Sequence, residues 1–144
     1  MRSDHLIPYN ITYPKSRFLQ YIALTGDYLF HGSNSKNIKI FEPRKQTLFN
    51  GELTTAVFAT SDPIWPIFYA VLNRKRVIGN FRNGCLVYND RRYHFYSLSE
   101  STMMADPWVE GAIYILPRDK FYRPVKGRVH PDEWICHDQV EPIS

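Results

Sequence analysis

Two stretches of the chain place apolar side chains at the three- and four-residue spacing of an amphipathic helix. The first covers residues 16–24 and predicts a short helix near the start of the chain. The second covers residues 64–73 and predicts a buried helix. Asp62 and Pro63 precede it in a pattern typical of helix starts, and Pro66 is tolerated because it falls within the first turn.

Elsewhere, short apolar and aromatic runs bounded by Gly, Pro or Asn predict strands. These runs span residues 28–30, 38–43, 56–60, 111–117 and 133–143, and residues 84–98 predict a hairpin that turns at Asn89-Asp90. We expect the first strand to end at Gly32, so that His31 lies at a strand end. The polar residues 44–55 predict a loop. The predicted helices lie in the first half of the chain and the predicted strands occur along its whole length. This order favours the α+β class, with a mostly antiparallel sheet or two small packed sheets.

The composition is that of an ordinary globular protein. The chain has 144 residues, 44% of them hydrophobic and 22% charged, so we expect one domain over residues 1–144 and exclude a disordered or collagen-like chain. Aromatic residues reach 15%, and such rings favour strands and line flat ligand pockets. No apolar run approaches the roughly 20 residues of a membrane span, and residues 1–10 lack a secretion signal. We therefore expect a protein of the cytoplasm, without a membrane partner.

The residue types that bind metals or form disulfides are few and scattered. Cys85 and Cys136 are the two cysteines, which excludes a disulfide framework and a Cys-rich zinc site and predicts two buried thiols. The candidate ligands outside the cysteines have no recognised spacing, and they are His5, His94, His130, His137, Asp132 and Asp138. We predict no metal site.

The charge is unevenly distributed along the chain. The net charge is +4, and residues 74–92 hold six basic side chains against the single acid Asp90, whereas residues 130–144 hold four acids and no Lys or Arg. The basic stretch is able to attract the phosphates of a dinucleotide or a nucleic acid. It is equally typical of a solvated face of a helix end and a hairpin, which we favour because no helical basic stripe is present.

Four features of the sequence carry groups suited to a binding site. They are His31-Gly32-Ser33 after a strand, Phe58 on a strand, Tyr69 on the following helix, and Glu133 before the last strand. Each also has a structural interpretation, because a histidine after a strand is more often a structural hydrogen bonder, a helix tyrosine is often core, and an acid at a strand start is often solvated. Taken singly, these features do not assign a function.

Taken together, three blocks resemble a known family. FHGS at residues 30–33, FATSDPIWPIFY at residues 58–69 and DEWICHDQV at residues 132–140 are similar to the three blocks of the ADP-ribosyltransferase superfamily. The branch they resemble is that of diphtheria toxin and the poly(ADP-ribose) polymerases, with its His, Tyr and Glu. The separation of 11 positions between Phe58 and Tyr69 is the one this family uses between its strand and helix tyrosines.

The resemblance implies a fold and an activity. The fold is a split antiparallel β-sandwich with a few short helices, holding NAD in a cleft between two short sheets. The reaction transfers ADP-ribose from NAD, the co-substrate, to a macromolecular acceptor and releases nicotinamide. The chain has no Gly-rich phosphate loop, no dinucleotide fingerprint and no G-x-S-x-G elbow, so any NAD is held in another way, as in this superfamily. We expect a free-standing bacterial or phage-type enzyme that acts in the cytoplasm of the producing cell or of a host cell.

The family roles can be carried over residue by residue. Glu133 corresponds to the catalytic glutamate, which hydrogen-bonds a ribose hydroxyl and stabilises the positive charge that develops on the sugar as nicotinamide leaves. His31 binds the adenosine ribose, and we also place it with the catalytic residues. Gly32 offers backbone groups to the carboxamide because no Cβ intervenes, and Ser33 adds a hydroxyl.

The aromatic positions follow the family less closely. Tyr69 corresponds to the ring that stacks on nicotinamide, with Phe68 as the alternative if the register shifts by one. Phe58 keeps the ring of the strand tyrosine but lacks its hydroxyl, and Pro66 replaces a helix serine that contacts the carboxamide. These departures leave weaker NAD binding, an altered substrate or lost activity open.

Three alternatives to ADP-ribosyl transfer remain at this point. One is the RNA 2′-phosphotransferase branch, which shares the fold and NAD but lines its site with several arginines; Glu133 favours ordinary transfer over it. A second is a non-catalytic NAD or ADP-ribose binding module, favoured by Phe58 and Pro66 and opposed by His31 and Glu133. The third is an NAD glycohydrolase, in which water replaces the macromolecular acceptor.

Overall fold

The computed structural model describes residue 7 and residues 12–144. Three short α-helices are present in this part of the chain: α1 (Lys15–Ala23), α2 (Trp65–Val71) and α3 (Glu100–Met104), besides two single-turn 3-10 helices at Arg74–Arg76 and Arg118–Lys120. The strands are β1 (Tyr28–Ser33), β2 (Arg44–Thr47), β3 (Leu53–Ala59), β4 (Arg82–Tyr88), β5 (Arg91–Ser97), β6 (Ala112–Pro117), β7 (His130–Pro131) and β8 (Trp134–Cys136). No helix among the described residues is long and apolar enough to cross a membrane.

The strands form three small antiparallel sheets. Their orders are β1-β6, β2-β3-β8 and β5-β4-β7, and every pairing is antiparallel. A bridge between Phe30 and Thr60 connects the first sheet to the end of β3. The α+β class and the antiparallel pairing are therefore confirmed, with three small sheets where one sheet or two packed sheets were expected.

The main core lies where the first two sheets pack against each other. Leu29 and Leu116 come from the β1-β6 sheet, and Val57 and Cys136 come from the β2-β3-β8 sheet. Removing these side chains from water is the principal force that holds the two sheets together. Both thiols, Cys85 and Cys136, are buried, as predicted.

Helix α2 rests on the first sheet through two glycines. A Cβ on Gly32 would lie 1.8 Å from the carbonyl oxygen of Pro66, and one on Gly111 would lie 1.8 Å from that of Ala70. Any side chain at either position would push the helix off the sheet. The absence of a Cβ at Gly32 thus makes room for α2, which is a different reason from the approach to a ligand that the sequence suggested.

Several predicted boundaries are wrong, each for a local reason. Strand β1 continues through His31 and Gly32 because β6 supplies hydrogen-bond partners as far as Ser33. Residues 38–43 make one bridge, between Phe41 and Val140, instead of a strand.

Further along the chain, residues 44–55 contain β2 and the start of β3 rather than a loop. The strand predicted over residues 133–143 is reduced to β8.

The two helices and the hairpin are where the sequence predicted them. Helices α1 and α2 fall within two residues of the predicted bounds. The hairpin β4-β5 turns at Asn89 and Asp90, whose φ angles of 48° and 59° are the left-handed pair of a two-residue type I′ turn. Helix α3 and strand β7 had no signal strong enough to predict them.

Candidate functional site

A cavity of about 190 Å³ lies between β1, β3 and the first turns of α2. Strand β2 and the residue before β8 complete its wall. Five of the predicted site residues line it, namely His31, Gly32, Phe58, Tyr69 and Glu133. His31, Tyr69 and Glu133, which are far apart in sequence, therefore line the same cavity. Ser33 is outside this lining, and its Oγ accepts a hydrogen bond from the Ser35 amide at 3.1 Å.

His31 is held in one tautomer by the neighbouring strand. Its Nδ1 lies 2.6 Å from the Phe58 carbonyl oxygen, and because a carbonyl only accepts, Nδ1 carries the hydrogen. The neutral ring then has its lone pair on Nε2. Burial lowers the pKa of His31, the Phe58 carbonyl opposes that shift, and the positive charges of Arg44 and Arg74 lower it further. At neutral pH the site contains an imidazole that accepts a hydrogen bond at Nε2.

This lowered pKa makes a testable contribution to stability. Below pH 6.5 the unfolded chain binds a proton at His31 that the folded chain does not, so the free energy of unfolding falls as the pH drops from 6.5 toward the folded pKa. The fall is at most about 1.4 kcal/mol per pH unit. His31→Asn keeps an N–H for Phe58 but cannot titrate, and urea unfolding between pH 7 and pH 5 should show a smaller loss for it. Equal losses in both proteins would contradict the assignment.

The aromatic wall of the cavity is built on α2. Tyr69 is half-buried, with the Trp65 ring 6.2 Å away and the Arg74 guanidinium 5.4 Å from its ring centre. Burial raises the pKa of the Tyr69 hydroxyl. A planar cation already lies over this ring, which is the kind of group that a stacking tyrosine binds.

Phe68, the alternative to Tyr69 for the stacking ring, lies outside the cavity lining. Phe68 is buried and packs against Tyr96 with 4.9 Å between ring centres, away from the cavity lining. Phe58 lines the cavity, while its backbone carbonyl orients His31. Pro66 also lines the cavity, and its carbonyl oxygen lies against Gly32.

Glu133 places a carboxylate at the other side of the cavity. Its Oε2 accepts a hydrogen bond from the Phe49 amide at 3.0 Å. Burial raises the pKa of Glu133, and the Phe49 hydrogen bond partly offsets this. A partly desolvated carboxylate acts more strongly on nearby charge than one in bulk water.

The residue before Glu133, Asp132, is the buried centre of an ionic network. Asp132 is 2% exposed; it accepts hydrogen bonds from Ser61 Oγ at 2.8 Å and from Trp134 Nε1 at 2.9 Å, and pairs with Arg92. Arg92, within the basic stretch 74–92, is exposed, as a solvated face predicts, but its guanidinium is also engaged by the buried Asp132 carboxylate. The network fixes the backbone from which Glu133 projects.

Asp62 anchors the same region to the start of α2. Its Oδ2 accepts hydrogen bonds from the Ile64 and Trp65 amides, at 3.1 and 2.6 Å, and lies 2.7 Å from Nε2 of His94. These bonds fix the turn that leads into α2 at the helix start that the sequence predicted after Asp62-Pro63, whereas the N-cap residue itself, Ile64, makes no side-chain cap.

One group of possible metal ligands is present in the described part of the chain. The ligand atoms of Asp62, Cys85 and His94 lie within 4.8 Å of one another. Burial and the charges of Asp62 and Asp132 raise the pKa of the Cys85 thiol to about 12, so it keeps its proton. Oδ2 of Asp62 is already hydrogen-bonded to the amides of Ile64 and Trp65 and to His94. His5 lies outside the described residues.

Sequence reasoning missed some of the cavity wall. Trp65 precedes Tyr69 by four positions, a spacing that places both on one side of α2 and that could have revealed it. Arg74 lies beyond the end of the helix and had no such signal. The other missed lining residues are Phe30, Gln46, Thr47, Ala59 and Thr60.

The lining therefore combines three kinds of group around one small space: an acceptor nitrogen, an aromatic wall and a carboxylate. Such a set suits a flat ring attached to a sugar, because the ring stacks and the sugar hydroxyls donate to nitrogen and carboxylate. Comparison of the chain with models of protein families, with curated proteins and with solved structures gave no match.

Proposed function

We propose that this protein is an NAD-dependent ADP-ribosyltransferase with the split β-sandwich fold of that superfamily. The observation that carries the proposal is the convergence of His31, Tyr69 and Glu133 on one cavity, although they come from three separate parts of the chain. These are the three residues whose sequence blocks resemble the family.

The chemistry follows from the two sides of the cavity. The bond between ribose C1′ and the nicotinamide nitrogen breaks, and its electron pair leaves with neutral nicotinamide. Positive charge then builds on the sugar, where the Glu133 carboxylate stabilises it. A nucleophile of the acceptor bonds to C1′, and its proton passes to Glu133 or to water. The raised pKa of Glu133 suits it to receive that proton.

The other groups bind the co-substrate. His31 Nε2 accepts a hydrogen bond from a ribose hydroxyl, Tyr69 stacks on the nicotinamide ring, and the Gly32 backbone contacts the carboxamide. A cavity of about 190 Å³ is smaller than the roughly 300–1,000 Å³ of pockets for drug-sized ligands. It fits one ring and its sugar, so the rest of NAD extends along the open side of the cleft.

The arginine content of the site favours ADP-ribosyl transfer over 2′-phosphotransfer. Among the residues that the structure describes, Arg74 is the one arginine in the cavity lining. A phosphotransferase of the related branch uses several. Arg92, within the basic stretch, is instead committed to Asp132.

A non-catalytic binding module is the second candidate, and Phe58 is the residue that favours it. The ring lines the cavity but offers no hydroxyl to a ligand. Binding of NAD without release of nicotinamide would identify this alternative.

The decisive experiment incubates the purified protein with NAD that is labelled in its ADP-ribose part, with and without a cell lysate. An ADP-ribosyltransferase releases nicotinamide and leaves label on a macromolecule. Label that ends only in free ADP-ribose indicates a glycohydrolase. Absence of nicotinamide release in both mixtures would overturn the proposed activity.

Binding of NAD should also be visible as thermal stabilisation. A ligand selective for the folded state adds about 2.7 kcal/mol at 100 times its Kd, which raises Tm by several degrees. His31→Asn retains the bond to Phe58 but loses the Nε2 acceptor, so we expect its Kd for NAD to rise about tenfold. His137→Asn, at an exposed histidine, is the matched control and should bind like the wild type. An unchanged Kd in His31→Asn would remove His31 from the binding site.

A further inference from the structure

The hairpin β4-β5 has an outward face whose composition is unusual for a solvent-exposed sheet. Residues paired across an antiparallel ladder share a face, and alternate positions along each strand point the same way. Tyr96 on the inward face packs against Phe68, and His94 contacts Asp62. The opposite set is the outer face, formed by Arg82, Gly84, Leu86, Tyr88, Arg91, Tyr93, Phe95 and Ser97.

Aromatic rings lie exposed along this outer face. Tyr93 is 51% and Phe95 39% exposed. The Phe95 and Phe49 rings both lie over Gly84, where an added Cβ would come within 2.6 Å of the first and 3.3 Å of the second. Phe49 is itself 47% exposed. Neighbouring rings of this kind form a platform for flat ligands, which gain stacking energy on them.

The charge of the outer face is positive. Arg82 and Arg91 belong to it and are exposed, and Arg128 places its guanidinium 5.5 Å from the ring centre of Tyr88. None of the eight positions of the face is Asp or Glu. Arginines between aromatic rings complement a strand that alternates phosphates and bases.

The outer face begins beside the cavity. The amide of Phe49, whose ring belongs to the platform, donates to Oε2 of Glu133. A molecule bound along the face therefore has one end next to the carboxylate that we assign to the reaction.

We propose that the outer face binds single-stranded nucleic acid and presents it to the cavity as the acceptor of ADP-ribose. Unpaired bases stack on aromatic side chains, whereas the bases of a duplex are already stacked on each other. The proposal that the face binds nucleic acid depends only on the residues of the outer face. The proposal that the bound strand is the acceptor rests on the proposed function. In that role an amine, ring nitrogen or hydroxyl of the strand bonds to C1′ of the NAD ribose as nicotinamide leaves, and it gives up its proton to Glu133 or water.

Binding is measured without NAD, by fluorescence anisotropy of labelled DNA and RNA strands of about 12 nucleotides, single and in duplexes. We expect saturable binding of single strands and at least tenfold weaker binding of duplexes. Three arginine contacts predict that log K falls with log salt with a slope of about −2 between about 50 and 200 mM. The DNA and RNA arms show which sugar the face prefers.

Two variants separate stacking from charge. Tyr93→Ala should weaken binding about tenfold and leave the salt slope unchanged, because it removes a ring and no charge. Arg91→Ala should make the slope shallower by about 0.7, the value for one phosphate contact on a single strand. Tyr21→Ala and Arg17→Ala on α1 are the matched controls, since both side chains are exposed. Circular dichroism of each variant checks that it is folded.

The outcomes separate this inference from the proposed function. Nicotinamide release with no binding of single strands, or with equal losses in the α1 controls, overturns the inference and leaves the activity standing. Tight binding of single strands with no nicotinamide release supports the binding face and overturns the acceptor role together with the activity. Transfer of label to a protein but never to an oligonucleotide overturns nucleic acid as the acceptor.

Discussion

Replacing Glu133 by glutamine is expected to slow nicotinamide release by about 100- to 1,000-fold while the protein remains folded. The amide keeps the size of the side chain, and its oxygen still accepts from the Phe49 amide, but it carries no negative charge. The lost interaction forms mainly in the transition state, so kcat falls and KM changes little. The measurement is initial-rate kinetics of nicotinamide release.

The pH profile provides an independent test of the same carboxylate. Burial raises the pKa of Glu133 above its ordinary value of 4.5. As the pH is lowered, the turnover rate of the wild type should therefore decline with a midpoint above pH 4.5. Glu133→Gln should lack this limb. Glu141→Gln, at an exposed acid near the end of the chain, is the control and should behave as wild type. A folded Glu133→Gln protein that turns over NAD at the normal rate would show that Glu133 is not catalytic.

The second large effect is on stability. Gly32→Ala should lower the free energy of unfolding by about 3 kcal/mol or more, and Tm by roughly 10 °C. The new methyl group would meet the Pro66 carbonyl at 1.8 Å, and this atom belongs to the backbone of α2, so the helix itself has to move. Urea denaturation with thermal melting measures the loss.

Gly84→Ala is the matched control for that experiment. The same methyl group at Gly84 would meet the side chain of Phe95 at 2.6 Å, and an exposed side chain can rotate away. We expect a loss of at most about 1 kcal/mol, partly offset by the smaller entropy of the unfolded chain. Equal losses in the two variants would show that the contact between β1 and α2 does not depend on Gly32.

The elements that could be predicted were those with strong local signals. Helices α1 and α2 have apolar spacing, and the β4-β5 hairpin has Asn89-Asp90 at its turn. Strand β2 was missed because its four side chains are all exposed, and a strand held mainly by backbone pairing leaves no alternation of apolar residues. Its existence depends on β3, which supplies its hydrogen-bond partners.

Five residues of the cavity lining were named from the sequence, but the residues that support them were not. His31, Tyr69 and Glu133 were identified because they belong to recognisable blocks. The pairing of Arg92 with Asp132 joins positions 40 apart in sequence, and no local pattern links them. The sequence predicts a solvated Arg92, and the side chain is exposed, but the sequence does not show that it also reaches two buried carboxylates, Asp62 and Asp132.

The orientation of His31 depends on a backbone atom, and this has a consequence for how the site tolerates genetic change. Its partner is the carbonyl oxygen of Phe58, which every amino acid supplies. Substitution of Phe58 by tyrosine would alter the cavity wall but preserve the tautomer of the His31 imidazole. A substitution at position 58 that keeps the packing against Leu48, Ala56 and Ile135 therefore changes the pocket without changing which nitrogen of His31 accepts a hydrogen bond.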